Sequence, residues 1–229
     1  MQRKKSPKFT AAIKDTDLKK AYSPEEAIAL VLKASSEKFD ASIEVHVNTG
    51  INPKKGDQIV RGSVVLPHGV GKTKRIAVFA EGEKADEARA AGADIVGGAE
   101  LIAEIKTTGK ADFDVAIATP DMMKTIAGVA KILGPKGLMP APKNETVTNN
   151  LKAAIEQVKK GKVNFKNDDS SNVHQSIGKR SFEHAKLLEN YIVLMDVLKK
   201  SRPSATKGAF IKSITITSTM GPGIKVQVS

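Results

Sequence analysis

The sequence predicts two parts of different fold class: a discontinuous two-layer α+β domain built from residues 1–66 and 161–229, and an inserted three-layer α/β domain, Rossmann-like, at residues 67–160. Three observations lead to this prediction. Apolar runs alternate with helical patterns in the middle of the chain, the two ends carry amphipathic strands, and turn-forming segments lie between the parts. With 229 residues, 40% of them hydrophobic, the chain can fill more than one core.

The middle part has a β-α-β-α-β order. Strands buried on both faces are nearly continuous apolar runs, which occur at residues 75–80, 93–96 and 113–118. Helices are predicted at residues 83–91, 99–106 and 121–133. The last helix follows Pro120 and ends before Gly134 and Pro135, which are common helix boundaries. This order predicts a small parallel sheet with helices on both faces.

The sequence patterns at the two chain ends together predict a second sheet. Ser23 is a predicted N-cap that opens a helix at Pro24. Ile43, Val45 and Val47 alternate with polar residues, as in a strand with one buried face. Further strands are predicted at residues 59–66, 163–166, 173–177, 210–218 and 224–228, and a helix at residues 181–200. Each end alone is too small to bury a sheet face, so we expect one layer of helices on a mostly antiparallel sheet.

Two turn-forming segments, residues 66–72 and 159–162, join the parts. They are either a paired hinge between domains or two ordinary surface loops, and the sequence leaves both interpretations open. Rigid-body motion between the parts follows only from the first interpretation.

The net charge of +12 is concentrated at the chain ends. Residues 1–66 hold 12 Lys and Arg against 8 Asp and Glu, and residues 161–229 hold 11 against 5, whereas residues 67–160 hold 14 against 12. The ends therefore carry +10 of the +12. Such a surface favours a polyanionic partner, because lysine and arginine displace counterions from phosphates.

Composition excludes several kinds of site. Without cysteine, the chain has no disulfide, thiolate zinc site or cysteine nucleophile. We predict no metal and no cofactor, because the histidines lie in separate predicted elements without metal-ligand spacing: His46, His68, His174 and His184. No apolar stretch is long enough to span a membrane and no signal pattern precedes the fold, which predicts a cytoplasmic protein without membrane contact.

Residues 68–73 (HGVGKT) look like the end of a phosphate-binding loop, but Leu66 stands where that motif needs glycine. The segment also leads into a predicted strand, whereas a phosphate loop opens a helix. After the first strand of the middle part, Glu81 and Glu83 would repel a pyrophosphate. An enzyme acting on a phosphorylated small molecule at the carboxyl ends of these strands is kept as the alternative hypothesis.

Aromatic residues make up only 4% of the chain, and tryptophan is absent. Binding of single-stranded RNA by base stacking needs several exposed rings, so that mode is disfavoured. Charge alone does not exclude DNA, but the sequence has no helix-turn-helix, zinc finger or basic zipper pattern. The remaining interpretation is folded RNA, recognised through its shape, phosphates and ribose hydroxyls.

Six long motifs carry a family resemblance: residues 51–62 (INPKKGDQIVRG), 66–69 (LPHG), 91–98 (AGADIVGG), 118–121 (ATPD), 133–140 (LGPKGLMP) and 218–222 (STMGP). They are unrelated to one another and extend over nearly the whole chain. Together they resemble the L1 family of large-subunit ribosomal proteins, in its bacterial form. The resemblance implies the same two-domain layout.

The resemblance also implies a function. L1 proteins are structural proteins that bind large-subunit rRNA at the mobile stalk, beside the exit site, where they assist release of deacylated tRNA. Many also bind their own mRNA and repress its translation. For this chain the resemblance therefore implies rRNA, its own mRNA and deacylated tRNA as partners, no enzymatic activity, and a monomer when free.

Eight RNA-binding residues are carried over from the family pattern: Lys38, Phe39, Ser42, Glu44, Thr217, Thr219, Met220 and Gly221. Ser42, Thr217 and Thr219 would offer hydroxyls, and Glu44 would accept from a ribose hydroxyl. Gly221 would let RNA approach the backbone closely, and the two large apolar side chains would exclude water. Without the resemblance, the preferred interpretation of Phe39 is a core ring and that of Met220-Gly221 is a hairpin turn.

Two positions depart from the family pattern. Where the family often has Asn-Asp-Lys-x-Gly before a histidine, this chain has residues 167–171 (NDDSS) before His174. An anion replaces a cation there, which weakens the case for a phosphate contact by this loop. Ser42 stands where threonine is common, which keeps the hydroxyl.

Overall fold

The structure is a computed structural model that describes residues 7–13 and 16–228. Its strands are β1 Ala21–Tyr22, β2 Ser42–Thr49, β3 Arg61–Val65, β4 Ile76–Phe79, β5 Ile95–Gly97, β6 Val115–Ala118, β7 Lys162–Lys166, β8 Asn172–Lys179, β9 Ile211–Ser218 and β10 Ile224–Val226. Its α-helices are α1 Pro7–Ala12, α2 Pro24–Ala34, α3 Glu83–Ala90, α4 Ala99–Thr108, α5 Met123–Ile126, α6 Ala130–Leu133, α7 Leu151–Lys159 and α8 His184–Lys200. Short 3-10 turns lie at Gly56–Gln58, Ala127–Val129 and Pro142–Asn144.

The chain divides into two compact units. Unit 1 consists of Met1–Gly71 and Asn164–Ser229, and unit 2 of Lys72–Val163. The predicted fold class is confirmed: both chain ends build a five-stranded mixed sheet, and the middle builds a three-stranded parallel sheet. The predicted domain boundaries, 66/67 and 160/161, lie a few residues before these limits, and independent folding of each part stays a prediction.

The sheet of unit 1 has the order β1-β10-β9-β2-β8. All its pairs are antiparallel except β1 with β10. β2 lies between β8 and β9, so a strand from the first end of the chain is bonded on both sides by strands from the second. α2 and α8 pack on one face. There they cover the inward side chains of β2, which are Ile43, Val45 and Val47.

Local sequence explains these elements. α2 begins with a capping box, in which the hydroxyl of Ser23 accepts from the backbone of Glu26 and the carboxylate of Glu26 accepts from the backbone of Ser23. Ile28 and Val31 form its buried stripe. β2 alternates strictly between partly exposed and buried residues, which follows from the two-residue period of a strand.

The sheet of unit 2 has the order β5-β4-β6 and is parallel throughout. Residues of β4 alternate between two cores. Phe79 belongs to the core between the sheet and helices α4, α5 and α6. Ile76 and Val78 belong to the core on the other face, together with Leu151 and Ile155 of α7. Both faces are covered, which explains why the strands are apolar without alternation.

Several predicted elements needed correction. The helix predicted at 121–133 is broken into α5 and α6 by a 3-10 turn around Gly128, because glycine weakens a helix interior. The strand predicted at 59–66 is β3, which pairs with β7 in a separate two-stranded sheet instead of joining the main sheet. α7 was not predicted, although Asn150 caps it and Leu151, Ala154, Ile155 and Val158 give it an apolar face.

Candidate nucleic-acid interface

Lys38 and Phe39 lie on the loop between α2 and β2, and Glu37 fixes this loop to the sheet. The Glu37 carboxylate accepts hydrogen bonds from the hydroxyls of Ser35 and Ser218, the latter with Oγ–Oε1 at 2.9 Å. Partial burial raises the pKa of Glu37, but the hydrogen bonds from Ser35, from its own backbone and from Ser218 outweigh it, so its pKa is lowered. Glu37 therefore stays charged and holds the loop at neutral pH.

A second set of contacts fixes the loop to the end of β8. The carboxylate of Asp40 accepts from the backbone nitrogen and the hydroxyl of Ser181, at 3.0 and 2.9 Å. Lys179 donates from Nζ to the Ser42 hydroxyl at 2.9 Å and to the Asp40 carbonyl at 3.4 Å. Sequence analysis missed Asp40, Lys179 and Ser181, since each contact joins positions more than 100 residues apart.

Phe39 and Met220 line one groove of about 430 Å³, together with Lys38, Glu37 and Gly221. The side chain of Phe39 is 53% exposed and that of Met220 is 73% exposed. The interpretation of Phe39 as a core ring is therefore wrong. Met220 does lie in the turn between β9 and β10, but its side chain extends into solvent.

The predicted hydroxyls lie at the same end of the sheet, and both threonine hydroxyls bond to backbone groups there. Thr219 Oγ1 accepts from the nitrogen of Ser42 at 3.0 Å and donates to its carbonyl at 3.3 Å. Thr217 Oγ1 donates to the carbonyls of Ser218 and Gly221, at 2.9 and 3.2 Å. The two threonine hydroxyls therefore keep only acceptor capacity for a ligand, whereas Ser42, which accepts from Lys179, keeps its donor.

Glu44 lies on the partly exposed face of β2, where it is in register with Thr217 of β9 and Ser176 of β8. Its carboxylate oxygen Oε2 lies 3.7 Å from Nε2 of His46. Seven of the eight predicted residues can thus offer a side chain to a ligand at one end of the sheet, in a region that joins the groove to the open sheet face.

Gly221 has a local reason to be glycine. A β-carbon at this position would lie 2.3 Å from Oγ of Ser218 and 3.4 Å from its Cβ. The Ser218 hydroxyl is the one that bonds to Glu37. A larger residue at Gly221 would therefore displace the contact that fixes the loop of Phe39, which adds a packing role to the predicted close approach of RNA.

His46 and His174 lie on separate strands, as expected, but the register of these strands brings the two side chains together. His46 and His174 are directly opposite on β2 and β8, and their Nδ1 atoms are 2.7 Å apart. Burial and the neighbouring His174 lower the pKa of His46. His174 Nε2 lies 3.3 Å from a carboxylate oxygen of Asp168. Among the described residues, no cluster of three or more potential ligands suits a metal ion.

The loop that departs from the family pattern is closed by its own aspartate. Asp168 Oδ1 accepts from the backbone nitrogens of Asn172 and Ser170, at 2.6 and 2.9 Å. The Asn172 contact is the main cause that lowers the pKa of Asp168 to about 2. Ser171 has a φ of 66°, the left-handed conformation that favours glycine, at the position where the family pattern has glycine.

The carboxyl ends of the strands of unit 2 form a crevice, but a carboxylate occupies it. Glu81 Oε1 accepts from the backbone nitrogen of Ala99 at the start of α4, at 3.3 Å. A β-carbon at Gly98 would lie 2.6 Å from the side chain of Glu81. The anion-attracting helix start is thus filled by the protein's own acid, which disfavours a phosphorylated substrate there.

The comparison with known families agrees with this architecture. The model of the Ribosomal protein L1p/L10e family matches residues 31–222. The chain belongs to this family. As an L1 protein it is a component of the large ribosomal subunit that binds the rRNA of the stalk, and it is not an enzyme. None of the described helices is long and apolar enough to cross a membrane.

Proposed function

We propose that unit 1 of this L1 protein grips stalk rRNA with the Phe39–Met220 groove and the adjoining hydroxyls of Ser42, Thr217 and Thr219. The observation that supports this most is the groove itself: two large apolar side chains, 53% and 73% exposed, converge on a surface whose loop is fixed on two sides. Such side chains gain most when a partner covers them, and a fixed loop loses little entropy on binding.

The chemistry around the groove fits ribose better than a bare phosphate. Glu44 can only accept a hydrogen bond, and the Thr217 and Thr219 hydroxyls are left with acceptor capacity. A ribose 2′-hydroxyl is a donor, so it matches all three. This combination favours RNA over DNA at the groove.

The test is the affinity of Met220→Ala and Phe39→Ala for a stalk rRNA fragment. Each is expected to weaken binding by about 10- to 100-fold, because a covered apolar side chain at the centre of an interface contributes roughly 2 kcal/mol or more. Ile192→Ala is the matched control, since Ile192 is 48% exposed on α8 and does not line the groove. Equal affinities of the groove variants and the control would refute the site.

The same surface is proposed to bind the protein's own mRNA and so to repress its translation. If one site serves both RNAs, Met220→Ala weakens both by a similar factor, and stalk rRNA releases bound mRNA. A translation reporter carrying the protein's own upstream mRNA, with and without added rRNA fragment, measures this. Repression that persists in Met220→Ala contradicts a shared site.

On the ribosome, the protein is proposed to assist release of deacylated tRNA at the exit site, and to belong to the bacterial type, on the strength of the motifs at residues 51–62 and 133–140. Ribosomes lacking the protein are expected to release deacylated tRNA more slowly. Adding back the wild-type chain restores the rate, and adding back Phe39→Ala restores it less at equal concentration. Equal release with and without the protein rules the role out.

A further inference from the structure

A second RNA-facing surface is suggested by the opposite end of the same sheet. We call it the basic end and define it as residues 50–58 and 199–212. These two segments hold seven Lys and Arg and a single acid, Asp57. By contrast, at the groove end Lys179 and Arg180 donate to protein oxygens, at 2.9 and 3.0 Å.

Direct contacts join the two segments of the basic end. The backbone nitrogen of Gly50 donates to the carbonyl of Phe210 at 2.7 Å, and Gln58 Nε2 donates to the carbonyl of Ala205 at 3.3 Å. The aliphatic end of Lys212 passes within 3.6 Å of where a β-carbon of Gly50 would be. Lysines that are about 150 positions apart in the sequence are thereby brought onto one surface.

The turns of the basic end present the lysines outward. Asn52 accepts from the backbone of Lys54 through its side chain and from that of Lys55 through its carbonyl, both at 3.1 Å. Arg202 donates to the carbonyls of Thr206 and Gly208, at 3.3 and 3.1 Å, which folds the following loop back. Lys207 lies on that loop and is exposed.

Most of the positive charge here is unpaired. Within residues 7–13 and 16–228, no lysine of the basic end has a carboxylate within ion-pair distance. The nearby acids are Asp57, Asp196 on the last turns of α8, and Asp168 and Asp169 on the loop whose Ser171 hydroxyl donates to the carbonyl of Ile51 at 3.0 Å. Asp168 already accepts from the backbone of its own loop. Six exposed lysines held close together without counterions repel one another, so this surface gains from a polyanion.

We propose that the basic end binds the phosphate backbone of a second segment of the same rRNA, an inference that rests on the proposed function of the groove. β2 has eight residues and joins the two ends, so they are about 25 Å apart at a rise of about 3.3 Å per residue. The groove recognises the RNA by shape and hydroxyls, and the basic end supplies most of the salt-dependent attraction.

The experiment compares the salt dependence of rRNA binding for the full chain and three variants. The first variant carries Lys54→Gln, Lys55→Gln, Lys207→Gln and Lys212→Gln. It is expected to bind about tenfold or more weakly at low salt, with the slope of log K against log salt reduced by roughly 3, since each lost phosphate contact removes about 0.7–0.9. The second variant, Met220→Ala, is expected to bind more weakly with an unchanged slope.

The third variant controls for net charge. It carries four Lys→Gln substitutions at exposed lysines of unit 2, namely Lys106, Lys110, Lys124 and Lys131. It has the same net charge as the first variant and is expected to keep the wild-type slope to within about one unit. Equal slopes for the first and third variants overturn the basic-end proposal.

The outcomes separate the two proposals. If Met220→Ala binds as wild type, the groove is not the site and the proposed function fails first. If Met220→Ala is weakened but the slope of the first variant is unchanged, only the basic end fails. An unchanged slope combined with loss of the first variant from ribosomal particles would identify an acidic protein surface as the partner, which also overturns the proposal.

Discussion

The two sheets of the molecule differ in what covers them. Unit 2 has helices on both faces of its parallel sheet, and its strands are apolar on both sides. In the described part of unit 1, helices α2 and α8 pack on one face, and the other face of β2 carries the partly exposed Ser42, Glu44, His46 and Asn48. A sheet that leaves one polar face open keeps a surface for a partner, whereas a sheet covered on both faces is a scaffold.

The ends of the two sheets show the same difference. In unit 2 the helix start at the strand ends is occupied by Glu81. In unit 1 the corresponding open region exposes Phe39 and Met220. Composition alone, which is basic in total, does not show that the two units have such different surfaces, and the following substitutions test whether the difference is functional.

Phe79→Ala is expected to have the largest effect on stability. Phe79 is fully buried and packs edge-to-face on Phe113 with ring centroids 6.2 Å apart. Its truncation is expected to cost about 3–5 kcal/mol of the free energy of unfolding of unit 2. Denaturant unfolding measures the loss, and rRNA affinity is expected to change less than about twofold because the proposed interface lies in unit 1.

Phe39→Ala is the matched control for Phe79→Ala, with the opposite expected effects on stability and on rRNA binding. It removes the same atoms from an exposed position, so it is expected to leave unfolding almost unchanged while weakening rRNA binding. A parallel loss of affinity and stability in Phe79→Ala would show that the interface is not confined to unit 1. It would also contradict the prediction that the two parts fold independently.

Asn190→Ala is expected to have the next largest effect on stability. Asn190 lies on α8, on the helix-covered face of the unit 1 sheet. Asn190 is fully buried, accepts from the nitrogen of His68 at 3.2 Å and donates to the carbonyls of Gly69 and Ile177 at 2.9 and 2.7 Å. Leaving three backbone groups without a partner is expected to cost roughly 2–4 kcal/mol. The exposed Asn164 serves as control, and an Asn190→Ala protein as stable as Asn164→Ala would contradict the assignment.

Ser23→Ala is expected to cost about 1 kcal/mol, because it removes the N-cap of α2. Thermal unfolding measures the change, and Ser204→Ala in an exposed loop is the control. Since α2 supports the covered face, rRNA affinity measured well below the melting temperature should stay constant. A fall in affinity would mean that the covered face reaches the interface.

Asp168→Asn is expected to have the smallest effect and to depend on pH. The folded-state pKa of Asp168 is lowered from 3.8 to about 2, chiefly by the backbone of Asn172, so the charged carboxylate stabilises the fold above about pH 4. This stabilisation is lost as pH falls towards 2. Urea unfolding at several pH values should show a wild-type advantage that disappears in acid, while the exposed Asp169→Asn shows none. An advantage independent of pH would contradict the role of the charge.

Much of the fold could be predicted because its signals are local. Ser23 and Pro24 mark a helix start, and the alternation of Ile43, Val45 and Val47 marks a strand with one buried face. α7 had a signal of the same kind and could have been found from its apolar face. The break between α5 and α6 is harder, since Gly128 only weakens the helix and packing decides the outcome.

The site was less predictable because its contacts are not local. The resemblance supplied Phe39 and Met220, but nothing near them in sequence indicates that Glu37 bonds to Ser218. His46 and His174 become a pair only when the register of β2 and β8 is known. The register of two strands depends on pairing between distant parts of the chain, and neither composition nor periodicity predicts that pairing.

The position of β2 between β8 and β9 has a consequence for synthesis. β2 is translated early, but its partner β9 is complete only when residues up to Ser218 have left the ribosome. The hydrogen bond from the nitrogen of Ser42 to Thr219 Oγ1 can form only after that. Unit 2 is continuous in the chain, and the predicted independent folding would let it form while the tail is still being made. A product of premature termination before Ile211 lacks Thr217, Thr219 and Met220, so it is expected to compete poorly with complete chains for the stalk.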